Sequence, residues 1–373
     1  MRAPLLSRLG IVVLVCASAR AQTVAQAQAA IDKQDYPAAL AILRPLAEQR
    51  NAEADYTLGV MYWDGRQGVP QNYSDAFNWF RKAATLGFAE AQYRVAQMSF
   101  IAQGVPQNYA EAASWYRKAA DQGLAKAQYN LGTMYMFGQG VAQDYAEGAS
   151  WFRKAAEQGF AAAQHNLGIA YREGQGVAQD YAQAFAWFQK AAEQGHAEAQ
   201  FNVGFAYASG QGVSKDLAEA AKWYRKSADL EFSPAQLNLG ELYVRGEGVP
   251  RDTAQAVEWF QKAAEQGLSQ GQDALRSVAD ARDAGAQNAL GLTYENGWGT
   301  IQIDAEAVRW YRQAADQGYA PAQFNLGRMY AAGRGVLKNE AEALKWFGLA
   351  AEQGDVDARA KIKAAVDAQR SQQ

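Results

Sequence analysis

His165, His196 and Cys16 are the residues of this 373-residue chain best suited to bind a soft or borderline metal. The histidines are far apart and show no H-x-x-x-H spacing, the arrangement that turns two imidazoles of one helix toward a zinc ion. His165 stands where other segments carry Tyr129 and Phe201, and His196 where they carry Leu124, Phe160 and Phe232. Both read as substitutes for apolar residues. Cys16 is the single cysteine, so the remainder of the chain has no thiolate nucleophile, disulfide or thiolate metal site. No serine sits in a GxSxG or SxxK setting. Paired carboxylates could hydrolyse a glycan, but Asp121, Glu157, Glu193, Glu265 and Asp316 occupy one recurring position, which makes them parts of a scaffold first. Tryptophans could cage a cation or haem, yet those recurring from Trp79 to Trp346 stand beside a second aromatic and, Trp223 excepted, ahead of an Ala-Ala pair, the pattern of a packed core. The expectation is therefore no cofactor, no metal and no enzyme activity.

The elements around these residues form an array. Trp79, Trp115, Trp151, Trp187, Trp223 and Trp259 lie 36 residues apart, and Trp310 and Trp346 resume that spacing after one slip. A period of this length marks stacked helical hairpins. Near-complete units begin at Ala52, Ala89, Ala125, Ala161, Ala197, Ser233, Ala284 and Ala320. In the third, Ala127, Leu131 and Tyr135 fall on one stripe of a first helix. Gly132 beside them costs about 1 kcal/mol relative to alanine inside a helix, so its recurrence implies a close approach of two helices. Gly138 suits a left-handed helix end and Gly140 a tight turn. Asp144, followed three residues later by Glu147, predicts a capping box at the start of the second helix. Trp151 and its neighbours supply the core of that helix, and Gly159 ends it.

The combination of LG, GxGV, Asp, WF and KAAEQG at fixed spacing, as in AAAQHNLGIAYREGQGVAQDYAQAFAWFQKAAEQG from Ala161 to Gly195, resembles the Sel1-like repeat, a relative of the tetratricopeptide repeat. The resemblance covers about Ala52 to Gly354. It implies an all-α fold, a right-handed superhelical α/α solenoid of antiparallel helix pairs. It also implies a scaffold or adaptor role, and for exported bacterial members work in envelope assembly, secretion or host contact. Some cysteine-rich members have been described as beta-lactamases. This chain lacks their paired cysteines, so that activity does not carry over.

The array has edges and faults. Residues 1–21 read as a signal peptide: Arg2 and Arg8 precede the apolar run Leu9 to Ala17, and Ala19-Arg20-Ala21 places cleavage near Ala21. That predicts a periplasmic or secreted protein. An uncleaved anchor, or a lipid on Cys16, would be the alternative. No transmembrane segment is expected in the mature chain. Residues 22–51 predict a capping helical hairpin, with Ala39, Leu43 and Leu46 on its apolar face. Repeats one to six span 52–268 and repeats seven and eight span 284–355. Between them 269–283 starts like a first helix, then lacks the turn and the Trp helix. It reads as an extra helix, a degenerate half-repeat or a deletion scar. Residues 356–373 read as a cap with a polar tail. Glu231 in place of a closing glycine predicts a changed joint between the fifth and sixth repeats. GWGTIQID in the seventh predicts an exposed Trp298.

Net charge is −3 with no basic face, so nucleic acid is not an expected partner. Binding in repeat arrays uses positions that vary between units. One such position holds Trp63, Phe100, Met136 and Arg172 in turn, and the next holds Ile101 and Phe137. The first three repeats are the apolar ones. These residues either seat a peptide or helix in a groove or extend the core toward the N-terminal cap. The expected function is a non-catalytic protein–protein scaffold or adaptor of the bacterial envelope, binding a protein or peptide on a concave face. It should be monomeric without that partner. A glycan- or peptidoglycan-binding assembly factor is the alternative, and a hydrolase of cell-wall or beta-lactam substrates a more distant one.

Overall fold

A computed structural model describes residues 23–66 and 68–370. The signal segment expected over 1–21 lies outside them. The chain divides into two compact units, Met1–Asp180 and Tyr181–Gln373.

The first unit holds α1 (23–32), α2 (Tyr36–Glu48), α3 (Ala52–Asp64), α4 (Tyr73–Thr85), α5 (Ala89–Ile101), α6 (Tyr109–Asp121), α7 (Ala125–Phe137), α8 (Tyr145–Glu157) and α9 (Ala161–Glu173). The second holds α10 (Tyr181–Glu193), α11 (Ala197–Ser209), α12 (Leu217–Asp229), α13 (Ser233–Arg245), α14 (Thr253–Glu265), α15 (Ser269–Asp280), α16 (Ala284–Asn296), α17 (Asp304–Asp316), α18 (Ala320–Ala332), α19 (Glu340–Glu352) and α20 (Val356–Arg370). Each unit is an all-α solenoid of antiparallel helix pairs, in which a helix packs on its chain neighbours. Among the described residues no helix is long and apolar enough to cross a membrane.

The third repeat shows why the sequence folds this way. Gly132 of α7 lies so close to α8 that a Cβ there would stand 2.8 Å from the Phe152 ring. Gly138 ends α7 in the left-handed region at φ 66°. Gly140 is doubly constrained: its φ is 72°, and a Cβ would meet the Tyr109 carbonyl oxygen at 2.2 Å. Asp144 caps α8, accepting from the backbone N–H of Ala146 and Glu147 at 2.9 and 3.0 Å. The reciprocal half of the expected capping box does not form. The Asp144 N–H donates instead to the Tyr135 carbonyl at 3.0 Å, tying the second helix to the first. Gly159 closes the repeat at φ 87° with open space around it.

Tryptophan and its companion aromatic fill the core. Trp151, Trp259, Trp310 and Trp346 are buried, and the others in the ladder are half-buried. A lysine three residues on covers each ring from Trp79 to Trp259, as Lys154 does Trp151 at 3.6 Å. Between repeats, Arg117 donates to the Tyr135 hydroxyl, and Arg153 does the same to Tyr171 at 2.7 Å.

A buried glutamine forms a polar spine that the repeat pattern did not single out. Gln128 donates to the Ala120 carbonyl of the preceding helix at 3.1 Å and accepts from Gln158 at 2.8 Å. Gln236, Gln287 and Gln323 repeat both bonds in the second unit. Buried amides satisfied on both ends fix the register of each repeat on the one before it. Two repeats break the spine. Asp55 takes the glutamine's place in the first, and its Oδ1 is buried without a partner. In the fifth, Leu230 replaces the partner glutamine, leaving the Gln200 Oε1 buried and unbonded. Glu231 adopts the glycine-like φ of 62° at this joint, so the chain still turns into α13.

Residues 269–283 form one helix, α15, and its turn. Counted from its start, Gln272 and Leu275 match Gln128 and Leu131 of a first helix. Counted from its end, Arg276 and Arg282 match Arg117 and Gly123, which belong to a second helix and its closing turn. Both registers are realised in packing, although Gln272 is buried without the bond that Gln128 makes, its Nε2 having no partner. A Cβ at Gly271 would stand 2.8 Å from the α14 backbone. Arg276 donates to the Tyr294 hydroxyl as Arg117 does to Tyr135. Arg282 takes φ 67° where Gly123 takes 89°. One helix thus serves as the front of one repeat and the back of another. Because chain neighbours are antiparallel, a single interposed helix makes α16 and α18 run opposite to α11 and α13. Trp298, expected to be exposed, is half-buried.

Candidate partner-binding site

The variable first-helix positions do not behave alike. Trp63, at the end of α3, packs edge-on to Tyr73 of α4 at 5.2 Å, with Arg94 5.5 Å over its ring. Phe100, at the end of α5, meets Tyr109 of α6 at 4.9 Å. Met136 rests on Gly148 of α8, where a Cβ would come within 2.7 Å of its sulfur. All three are half-buried against the second helix of their own repeat. Ile101 and Phe137, one residue later, turn outward and are 51% and 71% exposed. Arg172 is half-buried and pairs with its neighbour Glu173 at 2.8 Å. The structure therefore groups Trp63, Phe100 and Met136 as partly packing residues and separates Ile101 and Phe137 as open apolar side chains.

Phe100 and Ile101 also border a cleft of about 240 Å³ between α5 and α7. Tyr116, Tyr129 and Met134 give it apolar walls, and Gln97, Asn130 and Thr133 give it amide and hydroxyl groups. Burial pushes the Tyr116 phenol well above its ordinary pKa, so it stays neutral. Nothing in this cleft is a nucleophile or a general acid–base pair. Its chemistry is apolar contact with hydrogen bonding.

A different site, not singled out in the sequence, lies in the seventh and eighth repeats. Glu295 occupies the position of Trp63, Phe100 and Met136, and its side chain is 5% exposed. Its carboxylate accepts from the Tyr311 hydroxyl at 2.6 Å, from Arg328 Nη2 at 2.9 Å to both oxygens, and from Arg334 Nη1 at 3.0 Å. Arg334 forks onto Asp304 through Nε at 3.1 Å and Nη2 at 2.8 Å. This pairing holds the Asp304 carboxyl below the usual carboxylate range. Burial, then the neighbouring Glu295 carboxylate, pushes the Tyr311 phenol far up, which keeps it a donor. The signal was present in the internal alignment. Arg334 replaces the turn glutamine found at Gln139 and Gln175, and Asp304 replaces Tyr109 and Tyr145 at the start of a second helix. These departures fall one repeat apart, so the stack brings them together. Arg334 Nη2 also donates to the Glu295 backbone carbonyl at 3.4 Å, whereas in repeats two and three the equivalent carbonyls accept from a glutamine just ahead of the second helix, Phe100 from Gln107 at 2.9 Å and Met136 from Gln143 at 2.8 Å.

His196 is an N-cap, accepting from the Ala199 N–H at 3.4 Å, 3.2 Å from Glu198. No group of three or more His, Cys, Asp or Glu residues that could hold a metal occurs among the described residues.

Comparison with known proteins agrees with the repeat. The Sel1 repeat family matches residues 52–88, 89–124, 125–160, 161–196, 197–232, 233–268, 284–319 and 320–355. The chain is similar to a protective antigen with an SLR fold present in uropathogenic Escherichia coli strains, at 40% identity over 87% of this chain and 67% of that one, with a TM-score of 0.61. It is also similar to a Sel1 repeat protein from Oxalobacter formigenes, at 31% identity over 65% of this chain and 96% of that one, with a TM-score of 0.57. No curated protein matches. With eight repeats matched over most of its length, the chain belongs to the Sel1 repeat family.

Proposed function

We propose that the protein is a non-catalytic scaffold of the bacterial envelope that binds a peptide segment of a protein partner in the α5–α7 cleft. The observation that carries the reading is the cleft itself. It joins apolar walls, amide and hydroxyl groups, and the outward-facing Ile101, with Phe137 at the equivalent position one repeat on. A peptide needs that combination: apolar anchors for its side chains and amides for its backbone. Phe100 and Tyr129 are firm walls because their own repeats hold them, and Ile101 and Phe137 are solvated until a partner covers them. Trp63, Met136 and Arg172 shape the same edge without lining the cleft. The envelope location rests on the signal-like sequence of residues 1–21.

Selection of phage-displayed peptides on the mature protein tests the reading. Synthetic copies of the selected peptides are then titrated by fluorescence anisotropy against wild type and against an Ile101→Asp, Phe137→Asp variant. Affinity should fall at least tenfold in the variant. Undiminished binding would move the site away from α5–α7. Failure to select any peptide, together with retention on insoluble peptidoglycan, would replace the scaffold reading with glycan binding.

A further inference from the structure

Beside the Glu295 cluster the second unit has a pocket of about 390 Å³, within the range of sites that hold small ligands, about 300–1,000 Å³. Met329, Ala331, Ala332 and Phe347 form an apolar wall, of which Met329 and Phe347 are buried. The rim is cationic: Arg328 and Arg334 from the eighth repeat, and Lys361 from α20.

These cations are not equally engaged. Arg334 uses Nε, Nη1 and Nη2 on Asp304 and Glu295. Arg328 reaches Glu295 through Nη2. Its Nε is shielded from solvent and has no acceptor. Lys361 is exposed and has no carboxylate partner among the described residues. Three cations against the two carboxylates Glu295 and Asp304 leave one positive charge at a pocket that is otherwise apolar. The donors left for a ligand are Arg328 Nη1, which has no acceptor among the described residues, and the Lys361 ammonium on the same pocket, a pair suited to a carboxylate.

We propose that this pocket binds the free C-terminal carboxylate of a partner chain whose last residue is apolar. The carboxylate accepts from Arg328 Nη1 and Lys361, and the last side chain rests on Ala331 and Ala332, the accessible part of the apolar wall that Met329 and Phe347 back. The cationic rim and apolar wall share one small pocket, so the ligand must join a carboxylate and an apolar group within a few bonds. A C-terminal apolar residue does so. An acidic side chain carries no apolar group beyond its carboxylate. Glu295 is the positioning residue, because it fixes the direction of both arginines. The inference rests on the scaffold reading and adds a second contact to it.

The test is calorimetric titration of the full mature chain with N-acetyl-leucine, N-acetyl-leucinamide and N-acetylglutamic acid α-amide. The free acid of leucine should bind, and the leucinamide at least tenfold more weakly. Lys361→Met should weaken the acid about threefold or more without disturbing the fold, since Lys361 is exposed on α20. Arg328→Met should weaken it further. Ile101→Asp in the α5–α7 cleft should leave it unchanged, which separates a failure here from a failure of the first site. No binding of N-acetyl-leucine at millimolar concentration would overturn the proposal. So would equal binding of acid and amide, or full affinity in Lys361→Met. Equal or tighter binding of the glutamic acid α-amide would assign the pocket to acidic side chains instead.

Discussion

The ends of α5 and α7 and the end of α16 present the same backbone position to opposite uses. Phe100 and Met136 rest half-buried on their own second helices. Glu295 is nearly shut off from solvent and draws on Tyr311, Arg328 and Arg334 to satisfy one carboxylate. An apolar residue there needs only a ring or a glycine to lie on. A carboxylate needs donors, because an unpaired buried charge costs several kcal/mol. The donors come from its own repeat and the next, since the stack places residues about one period apart side by side. The apolar residue therefore depends on one neighbour, whereas the carboxylate depends on matching donors at several positions.

Glu295→Ala should break the comparison most severely. It strands Arg328 and the Tyr311 hydroxyl and leaves Arg334 with Asp304 as its one carboxylate partner. The expected loss is about 2–3 kcal/mol, at the low end for a buried pair because both arginines are partly solvated. Hydrogen exchange resolved by segment should show it in α16–α19 and leave α5–α8 unchanged. Adding Arg328→Met should recover part of the loss, because an apolar replacement no longer needs the carboxylate.

Restoring the spine in the fifth repeat should act in the other direction. Leu230→Gln with Glu231→Gly gives the Gln200 Oε1 a donor and returns glycine to a positive φ. A gain of about 1–2 kcal/mol is expected, read as a higher denaturation midpoint of the second unit. An unchanged midpoint would mean that water already satisfies Gln200.

Acid should separate the two units. Burial holds the Asp55 carboxyl above its ordinary pKa, with Lys82 opposing the shift. The folded state therefore keeps this proton after the unfolded chain has released it. Asp55's contribution is greatest below the ordinary carboxylate range and is lost as pH rises through its raised pKa. Asp304 has the opposite sign. Arg334 depresses its pKa, so its contribution is present above the ordinary range and is lost as pH falls through the depressed value. Acidification from neutrality should favour the first unit through Asp55 and weaken the second through Asp304. Asp55→Gln should add about 1 kcal/mol at neutral pH and flatten the first unit's pH dependence. An unaltered profile would show that Asp55 does not set it.

The smallest stability effect is expected on the apolar edge. Ile101→Asp and Phe137→Asp change exposed side chains and should shift stability by no more than about 0.5 kcal/mol, while peptide affinity falls at least tenfold. A large loss of stability would make these residues part of the core.

The helix pairs were legible because periodicity is local. Gly132, Gly138, Asp144 and Trp151 recur in the string, and each acts on residues within its own hairpin. The candidate edge was legible only in part. The sequence placed Trp63, Phe100, Ile101, Met136 and Phe137 at neighbouring repeat positions, but not which would lean on a second helix and which would face solvent. A one-residue step turns a helix by about 100°, enough to separate Phe100 from Ile101. The capping box was half right. The Asp144 side chain caps α8, but its N–H finds Tyr135 on another helix, a bond between elements that no local motif encodes.

The sequence by itself determined the repeat, its helices and turns, and the fault at 269–283, because each depends on residues close together in the chain. Only the tertiary structure decided that α15 is read in two registers, that Gln128 and its equivalents form a spine, and that Glu295, Asp304, Arg328 and Arg334 form one ionic cluster. Those outcomes depend on which side chains from successive helices meet out of water, where an unpaired polar group is costly enough to select its partners.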